Sequence, residues 1–134
     1  MIVVDVNLIA YLLIEGEHTA ESEAVLQRDG EWAAPLLWRS EWRNVLATYL
    51  RTGRLSLADA LERVSAAQAL LEGREYLVGD ESVMNLAARS ECSAYDCEYV
   101  ALAETLDVRL VTSDTQVLAA FPDRASSPTH FLEG

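Results

Sequence analysis

Asp5, Glu41, Asp96 and Asp114 are the residues of this chain whose types and positions suit chemistry. Each lies where a short β-branched run ends, where a helix begins, or on an otherwise apolar helical face. Carboxylate oxygens are the hard ligands that Mg²⁺ and Mn²⁺ select, and several of them converging without His or Cys suit phosphoester chemistry better than zinc chemistry. Acids this far apart in sequence can meet only through folding, so the elements that carry them decide whether they form one site.

Ile2 to Val4 is a β-branched run ending at Asp5, and the apolar segment Asn7 to Ile14 follows it, as a buried parallel strand entering a helix would. Helices are expected over His18 to Arg28, over Pro35 to Thr52 with Pro35 in the first helical position and Gly53 closing it, and over Ser56 to Leu71 behind the cap Ser56-x-x-Asp59. Further helices are expected over Asp80 to Arg89, Tyr95 to Leu106 and Asp114 to Ala120. Trp32 to Ala34, Tyr76 to Val78 and Val108 to Thr112 read as strands. Strands alternating with helices predict an α/β fold, a short central parallel sheet with helices on both faces, formed by residues 1–134 as one domain.

Ligands of such a sheet bind beyond the carboxyl ends of its strands, where Asp5 and Asp114 both fall. Taken singly, each equally suits a helix N-cap, and Ser113-x-x-Gln116 resembles a capping box. Glu41 lies at the edge of the stripe Trp38, Trp42, Val45 and Tyr49, where a carboxylate must be solvated, paired or metal-bound. Arg39, Arg43, Arg51 and Arg54 fall on roughly the opposite side and read as a solvated face, poor partners for Glu41. Asp96 shares a face with Tyr99, Val100 and Ala103, and it also completes a possible box Ser93-x-x-Asp96.

The formal net charge is −12, with ten arginines and no lysine. This excludes the basic footprint by which nucleic-acid binders are recognised and favours cations and basic peptides as partners. It also excludes acidic-pocket phosphatases and receiver domains that place a lysine beside the carboxylates. Cys92 and Cys97 are too few for a disulfide framework and lack zinc spacing, so they read as reduced, small apolar residues. The longest apolar stretch, Val6 to Ile14, is too short to span a bilayer, and a cytoplasmic protein without membrane contact is expected.

Val3-Val4-Asp5-Val6-Asn7, Ser40-Glu41, Tyr95-Asp96-Cys97-Glu98-Tyr99-Val100-Ala101-Leu102-Ala103 and Leu110-Val111-Thr112-Ser113-Asp114, in this order and spacing, resemble a PIN domain. More narrowly they resemble the VapC-type ribonuclease toxins of bacterial toxin–antitoxin pairs, a likeness that covers nearly the whole chain. The resemblance implies a pocket formed by Asp5, Glu41, Asp96 and Asp114, with Asn7 and Thr112 as polar neighbours. It implies that Asp5, Asp96 and Asp114 bind Mg²⁺ or Mn²⁺, with Glu41 either a ligand or the holder of a metal-bound water. It further implies endoribonuclease activity on RNA, restraint by a cognate VapB-like antitoxin, and a homodimer within a toxin–antitoxin hetero-oligomer. Many relatives carry another acid shortly after the last aspartate, whereas Gln116, Val117 and Leu118 follow it here. A fold kept as a non-catalytic module, whose acidic pocket captures a basic peptide, fits the charge equally well.

Overall fold

The computed structural model describes all residues, 1–134, and its centre is five short parallel strands in the order β3-β2-β1-β4-β5. The strands are β1 (Ile2–Val4), β2 (Trp32–Pro35), β3 (Glu75–Tyr76), β4 (Leu110–Val111) and β5 (Ala125–Ser126). Ile2 and Val3 register with Trp32 and Ala33 on one side of β1, and Val3 and Val4 with Leu110 and Val111 on the other. Every residue of β1 and β2 is buried. Since alternate side chains of a strand point to opposite faces, both faces of the sheet are covered, as a parallel sheet requires.

Eight helices supply the cover: α1 (Val6–Leu13), α2 (Thr19–Arg28), α3 (Leu37–Arg51), α4 (Leu57–Leu70), α5 (Asp80–Ala88), α6 (Ala94–Leu106), α7 (Thr115–Ala120) and α8 (Pro128–Glu133). The expected α/β architecture with a parallel sheet is the one found. No helix is long and apolar enough to cross a membrane. One cluster of buried side chains runs through the fold, with Trp32, Trp38 and Trp42 among its largest members. Helix α6 packs across β1, β2 and β4, and its Val100 to Ala103 run is buried throughout.

The chain builds β1, β2 and β3 outward in one direction, then returns to add β4 and β5 on the other flank of β1. The order therefore reverses between β1 and β4, and a crevice opens at the carboxyl ends of those two strands. Asp5 follows β1 directly, and Thr112 follows β4.

Several expected boundaries move. Pro35 is the last residue of β2 rather than the start of a helix; its missing N–H is tolerated at a strand end, and α3 begins at Leu37. The third strand is Glu75–Tyr76, and Val78 lies outside it. β5 and α8 were not anticipated: β5 is two residues long, held by pairing with β4 and by Arg109, whose guanidinium donates to the Ala125 carbonyl (3.1 Å) and the Ser126 hydroxyl (2.6 Å). Ser127 caps α8 by accepting the His130 amide, with Pro128 in the first helical position. Gly53 and Gly73 do end their helices, both with positive φ (73° and 76°), the left-handed region glycine enters freely. Both cysteines are free and buried.

Candidate active site

Asp5 leaves β1 in an extended conformation and caps α1, its Oδ1 accepting the Leu8 amide at 3.1 Å. Its Oδ2 accepts the hydroxyl of Thr112, which in turn accepts the Asp114 amide at 3.1 Å. Thr112 thus joins the carboxyl ends of the two central strands through one oxygen. Asp114 caps α7, its Oδ1 accepting the amides of Gln116 (2.9 Å) and Val117 (3.2 Å), so the cap belongs to Asp114 and not to Ser113. Asp96 stands in the first turn of α6, where its amide donates to the Ser93 hydroxyl at 3.1 Å. Glu41 comes from α3, and its Oε1 accepts the Tyr99 hydroxyl of α6.

Capping and convergence are not alternatives here. Asp5, Glu41, Asp96 and Asp114, carried by four separate segments, line one cavity of about 70 Å³ together with Asn7, Tyr99 and Thr112. Val6, Leu110 and Val117 supply its apolar lining, and no arginine takes part. A helix N-terminus favours negative charge, so the starts of α1, α6 and α7 hold Asp5, Asp96 and Asp114 in place while their remaining oxygens face a common space.

Burial without a basic partner shifts Asp5, Glu41 and Asp96 upward. Burial raises the Asp5 pKa to about 6, with the nearby Asp114 adding to the rise, against the hydrogen bonds from Thr112, Leu8 and Asn7. Burial also raises Glu41 and Asp96; the Tyr99 hydroxyl opposes the shift of Glu41, while Asp114 adds to that of Asp96. Tyr99 is buried against Glu41, and both effects push its phenol far above the ordinary range. It stays a neutral donor.

No group of three or more His, Cys, Asp or Glu side chains stands close enough to share one ion. The donor set nonetheless fits a hard divalent cation, because it is all oxygen and lacks competing lysine or arginine. Mg²⁺ commonly uses one or two carboxylates and keeps several waters, so a three-carboxylate cage is not required.

Two side chains play parts not expected of them. Tyr99, read as part of an apolar face, brings a hydroxyl to Glu41; the signal available was that a buried tyrosine seeks a partner for its O–H. Arg39 is not merely solvated: its guanidinium holds both oxygens of Glu75 (2.5 and 2.7 Å), and the Trp38 indole N–H donates to the same carboxylate at 2.7 Å. The buried stripe of α3 is Trp38, Trp42 and Leu46, leaving Val45 and Tyr49 half-buried beside α1.

Residues 2–123 match the PIN domain family. Over 124 residues the chain is 30% identical to the ribonuclease VapC3 of Pyrobaculum aerophilum, covering 90% of this chain and 95% of that protein. PAE2754 from the same organism superposes with a TM-score of 0.76 at 22% identity, covering 98% of this chain and 93% of its own. FitAcB from Neisseria gonorrhoeae gives 0.77 at 19% identity, with coverage of 97% and 99%. A toxin–antitoxin complex from Klebsiella pneumoniae gives 0.69 at 18%, with coverage of 96% and 98%. The structural likenesses establish the fold, and the family match over residues 2–123, which include Asp5, Glu41, Asp96 and Asp114, establishes membership: the chain belongs to the PIN-domain family and is similar within it to VapC.

Proposed function

We propose that this protein is a VapC-type toxin of the cytoplasm, a divalent-metal-dependent endoribonuclease restrained by a cognate antitoxin. The observation that carries the reading is the meeting of Asp5, Glu41, Asp96 and Asp114 around one cavity at the point where strand order reverses. The VapC3 relative, a ribonuclease by name, and the toxin–antitoxin neighbour support the same assignment.

Asp5, Asp96 and Asp114 are the residues that would hold Mg²⁺ or Mn²⁺, one or two of them directly and the rest through waters that the ion keeps. The chemistry contributed by such an ion is acidification of a water and neutralisation of charge on the phosphate and the leaving oxygen. Asp5 would offer Oδ2, whose direction Thr112 fixes, because Oδ1 is committed to the α1 cap. Asp114 keeps Oδ2 for the cavity, its Oδ1 being engaged by two α7 amides. Asn7, exposed at the rim, offers a neutral amide to a phosphate oxygen. Glu41, anchored through Oε1, leaves Oε2 to orient a water or accept its proton.

The excess of negative charge makes a basic partner the natural inhibitor. An antitoxin tail placing Arg or Lys among the four carboxylates competes with the ion, since a guanidinium can bond two carboxylate oxygens at once. With a toxin homodimer, two antitoxins would complete a heterotetramer. Incubating the purified protein with single-stranded RNA in Mn²⁺, and again with chelator, tests the reading. Cleavage confined to the Mn²⁺ sample is expected; equal cleavage in chelator, or none in either, would overturn it.

A further inference from the structure

We propose that the groove running on from the acidic cavity, between α1, the α1–α2 loop and α3, is a site for one unpaired nucleobase of the RNA strand, next to the phosphate being cleaved. The inference rests on the nuclease reading above. Asn7 lines both depressions, so they adjoin at that residue, and the groove is the larger, about 320 Å³ against about 70 Å³. A strand held across the cavity must leave it on either side, and this groove is one exit.

Three rings line it, those of Tyr11, His18 and Tyr49. The Tyr11 and His18 rings lie 4.6 Å apart at 40°, Tyr49 faces in from α3, and Ile14 and Val45 add apolar surface. The loop that carries His18 is pinned before any ligand arrives: the Gly16 amide donates to the Thr19 hydroxyl (3.0 Å), which donates to the Tyr11 carbonyl (2.6 Å). Arg54 lies 5.4 Å from the Tyr49 ring centre and brings a positive charge to that end. Flat faces of this kind bind bases by stacking, and unpaired bases are the parts of RNA that proteins splay out and stack on Tyr and His.

The charges decide which part of a nucleotide enters. Glu15 and Glu17 also line the groove, and their carboxylates disfavour a phosphate there. They accept hydrogen bonds from exocyclic amino groups, as carboxylates do from cytosine N4. The groove therefore takes a base rather than backbone, and adenine, cytosine or guanine in preference to uracil.

Steady-state cleavage of short single-stranded oligoribonucleotides in Mn²⁺ tests this with wild type, Tyr49→Leu and His18→Ala. Each is paired with a parent oligonucleotide and with versions made abasic at either nucleotide flanking the cleaved bond. Tyr49→Leu should raise KM about tenfold, with the loss falling on KM rather than kcat. Removing one flanking base should cost wild type a similar factor and cost Tyr49→Leu nothing further, because both changes delete the same stack. His18 is exposed, so His18→Ala supplies the same comparison should Tyr49→Leu fail to fold. Additive losses, or an unchanged KM in the folded variants, overturn the base site and leave the nuclease reading standing. An unchanged KM with a weakened antitoxin complex gives the groove to the partner instead. Absence of metal-dependent cleavage by wild type overturns both.

Discussion

Tyr99 of α6 donates its hydroxyl to Oε1 of Glu41 on α3, joining two helices that both pack on β2. Tyr99→Phe leaves a half-buried carboxylate without that donor, so Glu41 shifts further upward. The expected loss is about 1–3 kcal/mol of stability at neutral pH, read by denaturant unfolding. A variant as stable as wild type at pH 7.5 would mean that the bond contributes nothing.

Asp5 governs the second expectation. Its folded pKa, about 6, is above the ordinary 3.8, so the folded state binds the proton more tightly than the unfolded state does. The protonated form's contribution is fully present below about pH 3.8 and is lost as pH rises through 6; deprotonated Asp5 then costs about 3 kcal/mol at neutral pH. Asp5→Asn keeps a good helix cap and removes the charge. Without metal it should melt higher than wild type at pH 7.5, and the gap should close by pH 3.5. A constant gap across that range would contradict the assignment.

How much of this was legible depended on range. Asp5 and Asp114 could be placed because a strand ending in an acid, followed by a helix, is a local pattern. Glu41 and Asp96 could be placed on helix faces, but that Tyr99 would reach Glu41, 58 residues away, depends on how α3 and α6 are set by the sheet. The Arg39–Glu75 pair is hidden for the same reason: Arg39 looks solvated on its own helix, and only the β2–β3 pairing brings Glu75 beside it. β5 escaped because two residues carry no periodicity, although Ser127-Pro128 was a readable start for α8. Pro35 reads as a helix opener because Pro suits that position, whereas in the fold it pairs with Tyr76 as the last residue of β2.

Divalent ions should stabilise the fold by mass action and by relieving repulsion among the carboxylates. Millimolar Mn²⁺ should raise the melting temperature of wild type at pH 7.5 by several degrees. Asp96→Asn and Asp114→Asn should each lose most of that rise, and equal rises in all three proteins would remove the ion from this cavity.

A cognate antitoxin should bind less tightly as salt is increased, since its basic tail meets a chain of net charge −12. Replacing every Arg and Lys of that tail by Gln should abolish inhibition of cleavage. Undiminished inhibition would mean that the tail blocks the cavity sterically.

RNA cleavage rate measured across an Mn²⁺ titration, for wild type beside Asp5→Asn, Asp96→Asn and Asp114→Asn, bears most directly on the claim that these carboxylates act as one metal-dependent centre. Wild type should show a saturable rise with Mn²⁺, and each folded variant should fall by ~100-fold or more at saturation. Cleavage at wild-type rate and with wild-type metal dependence in all three variants would place the chemistry elsewhere in the protein.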